Sequence, residues 1–222
     1  SRASAGVDPS VLVDLGKLPG GTWNYVSTIS DDGSVVCGSA DVSGGEARAY
    51  RWTAATGLVN LGVASGADHS YGYGMSGSGL VVVGAGGAAY DTACRWTPST
   101  GMVSLGSLAT GKPSFAFDAT QDGSVVVGDG YLSNSLQRAF RWTQATGMQP
   151  FGQILAGCDQ SLALGITPTG SFLFGYCYHN APQLVMPTAC RWDAARRVSP
   201  AAAAATGAAV GRAPAPALPA AR

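Results

Sequence analysis

The sequence predicts an all-β fold: a β-propeller-like array of about four four-stranded blades, followed by an Ala/Pro-rich tail expected to be disordered. Three observations predict it. Ala49-Tyr50-Arg51-Trp52-Thr53 returns as Ala93-Cys94-Arg95-Trp96-Thr97, Ala139-Phe140-Arg141-Trp142-Thr143 and Ala189-Cys190-Arg191-Trp192-Asp193, with the arginines 44, 46 and 50 residues apart. A period of this size marks a repeat architecture. Each period also holds four short strand-like segments separated by turn residues, the content of one propeller blade. Finally, 32 of the 222 residues are Gly, while Lys17, Lys112 and Glu46 are the only Lys and Glu. That composition suits short strands and tight turns and is poor for surface helices.

Taken in order, residues 1–10 read as a loose leader. Val11-Leu12-Val13-Asp14-Leu15-Gly16 alternates like a strand and ends on Gly. The same element follows each later Arg-Trp: Leu58-Val59-Asn60-Leu61-Gly62, Met102-Val103-Ser104-Leu105-Gly106 and Met148-Gln149-Pro150-Phe151-Gly152. The link is a four-residue turn ending in Gly57, Gly101 or Gly147, which suits a hairpin needing a positive φ. A loop and a second alternating segment come next. Its apolar side is Tyr25 and Ile29, then Tyr71, Tyr73 and Met75, then Phe115, Phe117 and Ala119, then Leu162, Leu164 and Ile166. Period-two alternation argues for strand.

An Asp-Gly or related turn leads into an apolar run closed by Gly: Val35-Val36-Cys37-Gly38, Val81-Val82-Val83-Gly84, Val125-Val126-Val127-Gly128 and Phe172-Leu173-Phe174-Gly175. Unbroken apolar runs of this kind suit a strand covered on both faces, as blades in a ring are. A β-solenoid is the main competing architecture, but its coils are shorter. The repeat domain is expected over residues 11–193. The last copy lacks its fourth strand, and residues 11–16 would supply it if the ring closes; the other reading is an arc of a longer array. Residues 194–222 carry four Arg, no acidic residue and no β pattern, and read as a disordered tail, either a linker or an aberrant read-through. The start at Ser1 reads as a processed form or an excised piece.

Net charge is zero and only 12% of residues are charged, so no general basic surface asks for nucleic acid. No apolar run reaches the length of a transmembrane helix. Of five cysteines, Cys94 and Cys190 stand where other copies have Tyr50 and Phe140, and Cys37 stands where they have Val83 and Val127. These three are expected to be buried small hydrophobes. Cys158 and Cys177 have no such equivalents and are candidates for a disulfide in an oxidising compartment.

The order Leu15-Gly16, Leu18-Pro19-Gly20-Gly21, Ser30-Asp31-Asp32-Gly33-Ser34-Val35-Val36-Cys37-Gly38 and Ala49-Tyr50-Arg51-Trp52 resembles the HAF-type extracellular repeat of bacterial surface proteins. The third copy is as close, with Gln121-Asp122-Gly123-Ser124-Val125-Val126-Val127-Gly128 before Ala139-Phe140-Arg141-Trp142-Thr143. The resemblance covers roughly residues 12–192, and the second and fourth copies depart from it at the turn. It implies export, an extracellular or outer-membrane-associated location, and a passenger-like role beside an autotransporter barrel. It carries no catalytic residues.

The repeated Arg and Trp are expected to be architectural: guanidinium bonds to loop carbonyls of the next blade, and inter-blade packing. His69 and His179 lack metal-ligand spacing, and Asp68-His69-Ser70 is not a triad, because triads are set by geometry. No metal or cofactor is expected. The least repeated loop precedes the second segment. Its Trp23, Asn24, Tyr25, His69 and Tyr71 are the candidate ligand-binding residues, gathered on one rim and suited to a surface glycan or protein. The functional expectation is a noncatalytic recognition or adhesion module. The alternatives are a hydrolase or lyase with a site on the axis, and a purely structural repeat.

Overall fold

The computed structural model describes residues 12–151, 155–179 and 187–193. The expected leader and tail lie outside the described residues. Those residues form fifteen strands in four antiparallel sheets. Blade one is β1 (Asn24–Ile29), β2 (Val35–Asp41), β3 (Ala47–Thr53) and β4 (Gly57–Asn60). Blade two is β5 (Tyr71–Met75), β6 (Val82–Gly87), β7 (Asp91–Thr97) and β8 (Gly101–Gly106). Blade three is β9 (Ser114–Ala119), β10 (Val125–Tyr131), β11 (Gln137–Thr143) and β12 (Gly147–Pro150). Blade four has three described strands, β13 (Gln160–Ile166), β14 (Phe172–Tyr178) and β15 (Thr188–Asp193). Every sheet runs in sequence order, as hairpin connections require. Gly57, Gly101 and Gly147 sit at φ of 63°, 65° and 63°, the turn conformation their spacing predicts.

The blades pack in succession through apolar layers. Val35, Cys37 and Ala49 of blade one meet Met75, Val82, Cys94 and Trp96 of blade two. Val81, Val83 and Ala93 meet Ala116, Val126, Phe140 and Trp142, and Val125, Val127 and Ala139 meet Ala163, Ile166, Leu173 and Trp192. The tryptophan of each later blade therefore packs back on the blade before it. The arginine reaches forward: Arg51 Nε donates to Gly79 O at 2.9 Å, and Arg95 donates to Gly123 O at 3.2 and 3.3 Å. The turns are stitched as well, Asp31 N to Gly77 O, Ser78 N to Gln121 O, and Gln121 N to Pro168 O. Arg51, Arg95, Trp96, Trp142 and Trp192 are thus architectural, as expected.

Three features of the fold differ from the sequence reading. First, the expected closing strand is not formed. Residues 12–16 make no strand, Leu12 is 99% exposed, and among the described residues no fourth strand joins β15. The two end faces stay open, with Val26 and Ile29 of blade one 59% and 58% exposed and Phe174 of blade four 58% exposed. A physical reason lies at the contact position. Blades two to four offer Gly72, Ala116 and Ala163 to the preceding blade, whereas blade one offers the larger Val26, opposite an equally enlarged Phe174 where the other blades have Cys37, Val83 and Val127. The described residues form four successive blades that do not close into a ring.

Second, each strand continues past the Gly that closes its apolar run. Gly38, Gly84, Gly128 and Gly175 lie inside β2, β6, β10 and β14. Third, each inner strand contains a β-bulge, at Ser27, Tyr73, Phe117 and Leu164. The extra residue reverses the alternation beyond it. Met75, Ala119 and Ile166, read as sharing a face with Tyr71, Phe115 and Leu162, turn into the inter-blade layers instead.

Candidate functional site

The bulges decide what lines the inner wall. Before each bulge the small residue, Gly72, Ala116 or Ala163, is buried against the neighbouring blade. The alternate residues Tyr71 and Tyr73, Phe115 and Phe117, and Leu162 and Leu164 remain half-buried. The wall thus grades from aromatic on blades two and three to aliphatic on blade four. Tyr71 and Tyr73 stack with centroids 6.0 Å apart and 4° between planes, and Tyr73 meets Phe117 at 5.8 Å. His69 closes the row edge-on to Tyr71 at 5.3 Å. Such a band of π faces binds flat apolar surfaces, sugar faces among them, while tyrosine hydroxyls supply polar contacts. Burial pushes the Tyr73 hydroxyl up to about 12, helped by the charge of Asp91, so it is a neutral donor at physiological pH.

Of the rim residues the sequence singled out, Trp23 and Tyr25 form a pair on blade one with ring centroids 5.4 Å apart, and His69 and Tyr71 form the pair on blade two. Asn24 has a different job. Its side-chain amide donates to Gly16 O, the same task Ser70 and Ser114 perform for Gly62 O and Gly106 O. Ser70 Oγ also accepts from Ala49 N at 3.0 Å and is almost fully buried, so it is an inter-blade pin and not a nucleophile. Tyr73, Phe117 and Asp91 were missed as site residues. Tyr73 and Phe117 carried a signal in the alternation, but only the bulge shows that they face the wall.

His69 is held from both sides, Nδ1 by Asp68 and Nε2 by Asp91 at 2.7 Å. Partial desolvation lowers its pKa, but the two carboxylates outweigh that and raise it above the ordinary 6.5. Because the folded value exceeds the unfolded one, the contribution is fully present below 6.5 and is lost as pH rises through the raised value. We expect the His69 ring proton resonance to titrate with a midpoint above 6.5, and Asp91→Asn to lower that midpoint; a wild-type midpoint at or below 6.5 would contradict the clamp. Beside it, Gly86, Gly87, Tyr90, Thr92 and Ser104 border a shallow cleft of about 290 Å³. Among the described residues no cluster of His, Cys, Asp or Glu is arranged to hold a metal ion, and no helix is long and apolar enough to cross a membrane.

Blades turned face to face, with bulged inner strands lining a common wall, define a β-propeller fold. No family model matches the sequence, and no curated protein sequence matches it. Solved structures do match. Putative TolB from Agrobacterium tumefaciens is similar with a TM-score of 0.54 and 15% identity, over 75% of this chain and 60% of that one. TolB from Acinetobacter baumannii is similar with a TM-score of 0.48 and 13% identity, over 72% of this chain and 39% of that one. The chain thus spans less than two thirds of the length of either. The likeness is one of fold, and the fold is a TolB-like β-propeller.

Proposed function

We propose that this chain is a noncatalytic recognition module of the bacterial cell envelope or exterior, an adhesion-type repeat array of the HAF kind resembling an autotransporter passenger. Its wall of Tyr71, Tyr73 and Phe117, with His69 at the end, receives a surface glycan or protein. The observation that carries this reading is the half-buried aromatic row on the inner strands, with Tyr71 stacked on Tyr73 and Tyr73 tilted against Phe117. A purely structural wall has no need of unburied aromatics in register on consecutive blades. The TolB-like fold supports an envelope setting, and the order of repeat motifs supports export.

A glycan array followed by calorimetry on the purified chain tests this. Binding to at least one bacterial or host surface glycan or protein is expected. Tyr73→Ala is expected to weaken it about tenfold, on the order of 1.4 kcal/mol, the loss of one stacking anchor. Tyr90→Ala, in the adjacent cleft, leaves affinity unchanged if the wall is the site. No binding to any arrayed glycan or surface protein would remove the recognition reading.

A further inference from the structure

Three of the five cysteines converge in blade four. Cys158, in the loop entering β13, lies with Sγ 2.9 Å from Cys177 Sγ on β14. Cys190 on β15 lies with Sγ 2.8 Å from the same Cys177 sulfur. Cys190 was expected to be a buried apolar filler like its equivalents; it is instead half-buried and in contact with another thiol. Equivalent turn and strand hydrogen bonds put Ala67 and Gly86 at the Cys158 and Cys177 positions in blade two, with Ala40 at the Cys177 position in blade one. Blade two fills the Cys158 and Cys177 positions with Ala67 and Gly86, so packing at these two positions does not by itself call for sulfur.

We propose that blade four carries an oxidisable three-thiol site in which Cys177 forms a disulfide with either Cys158 or Cys190 and passes between them by exchange. The co-reactant is a low-molecular-weight disulfide. The Cys190 thiolate attacks it, releasing one thiol and leaving a mixed disulfide on Cys190. The Cys177 thiolate attacks the Cys190 sulfur, forms the Cys177–Cys190 bond and releases the second thiol. The two protons lost by the cysteines go to the two departing thiolates, so the oxidant is reduced to two thiols. The Cys158 thiolate then attacks the Cys177 sulfur and expels Cys190 as thiolate, with no net redox change. One pairing ties the edge strand β15 to β14; the other ties the entering loop to β14. Since one sulfur holds one disulfide bond, the two are alternatives. Burial holds Cys158 up to about 11 and Cys190 up to about 12, with Cys177 adding to both, so the chemistry is slow at neutral pH.

The full chain is incubated with oxidised glutathione, acid-quenched, denatured and alkylated, and its disulfide-linked peptides are mapped by mass spectrometry. Three of the five thiols are expected to alkylate, with both Cys158–Cys177 and Cys177–Cys190 peptides present. Cys158→Ala, which copies blade two, keeps the second pairing. Cys190→Ala keeps the first. Cys177→Ala, which copies blade one, abolishes both. Five alkylated thiols, a persisting glutathione adduct, a disulfide surviving in Cys177→Ala, or one pairing alone at every time point would each overturn the proposal. The two outer variants keep the test decisive should Cys177→Ala fold poorly.

Discussion

Gly84→Ala is expected to destabilise the chain by about 3 kcal/mol or more, a large fraction of an ordinary domain's margin of about 5–15 kcal/mol. A Cβ on Gly84 would lie 1.8 Å from Tyr71 O and 2.8 Å from Tyr71 C. Both are backbone atoms of the paired strand, so no rotamer can relieve the clash. The bulge at Tyr73 sits in this pairing between Gly72 and Gly74. The crowding recurs: a Cβ on Gly38, Gly128 or Gly175 would lie 1.9, 1.9 or 2.0 Å from the carbonyl oxygen of Tyr25, Phe115 or Leu162. Gly101 is the control. It has φ of 65° and open space around its missing Cβ. Gly101→Asn, which tolerates that conformation, should cost under about 1 kcal/mol. Urea unfolding of both variants checks the pair. A Gly84→Ala midpoint close to wild type would mean that the inner strand can slide away, and the bulged architecture would be wrong.

Asp129→Asn is expected to stabilise the chain at pH 7 and to remove a pH dependence. Asp129 is only 1% exposed on β10. Its Oδ2 accepts from the Gln137 amide, and its Oδ1 has no partner. Burial therefore pushes its carboxyl up from 3.8 to about 6, partly opposed by the Gln137 bond. Between those two values the native carboxyl holds a proton that the unfolded chain has lost, so stability falls as pH rises from 4 to 6 and stays lower above it. The separation corresponds to about 3 kcal/mol. Asparagine keeps the acceptor for Gln137 and carries no charge, but leaves a buried amide donor costing about 1 kcal/mol. The net expectation is a gain of about 2 kcal/mol at pH 7, a loss of about 1 kcal/mol at pH 4, and a flat profile between for the variant. Denaturant melts across this range decide it, since parallel slopes in wild type and variant would assign the pH dependence elsewhere.

Much of the fold was legible because the repeat repeats its causes. Arg51 and Arg95 bond the next turn, and Trp96, Trp142 and Trp192 enter the layer beneath them, because one local pattern meets the same neighbour each time. The unbroken apolar runs foretold strands covered on both faces, and β2 and β6 are buried throughout. In β14 the same run alternates between buried and open, since among the described residues no further sheet packs on its outer face. The candidate site was only half legible. Alternation put Tyr71, Tyr73 and Met75 on one face, but a bulge is a property of a strand pair, and no single strand announces it. His69 stood out as a loop histidine, yet Asp91, which clamps it, lies 22 residues on, across the β6–β7 hairpin.

By itself the sequence determined the blade: its period, its four strand positions, its turns and the packing roles of its Arg and Trp. Those follow from local periodicity and turn chemistry. Only the tertiary structure decided that the four described blades do not close into a ring, that the bulged strands expose an aromatic wall, and that three distant thiols share one pocket of space. Each of these depends on which surfaces meet and on the volume left between them, quantities set by pairs of elements far apart along the chain.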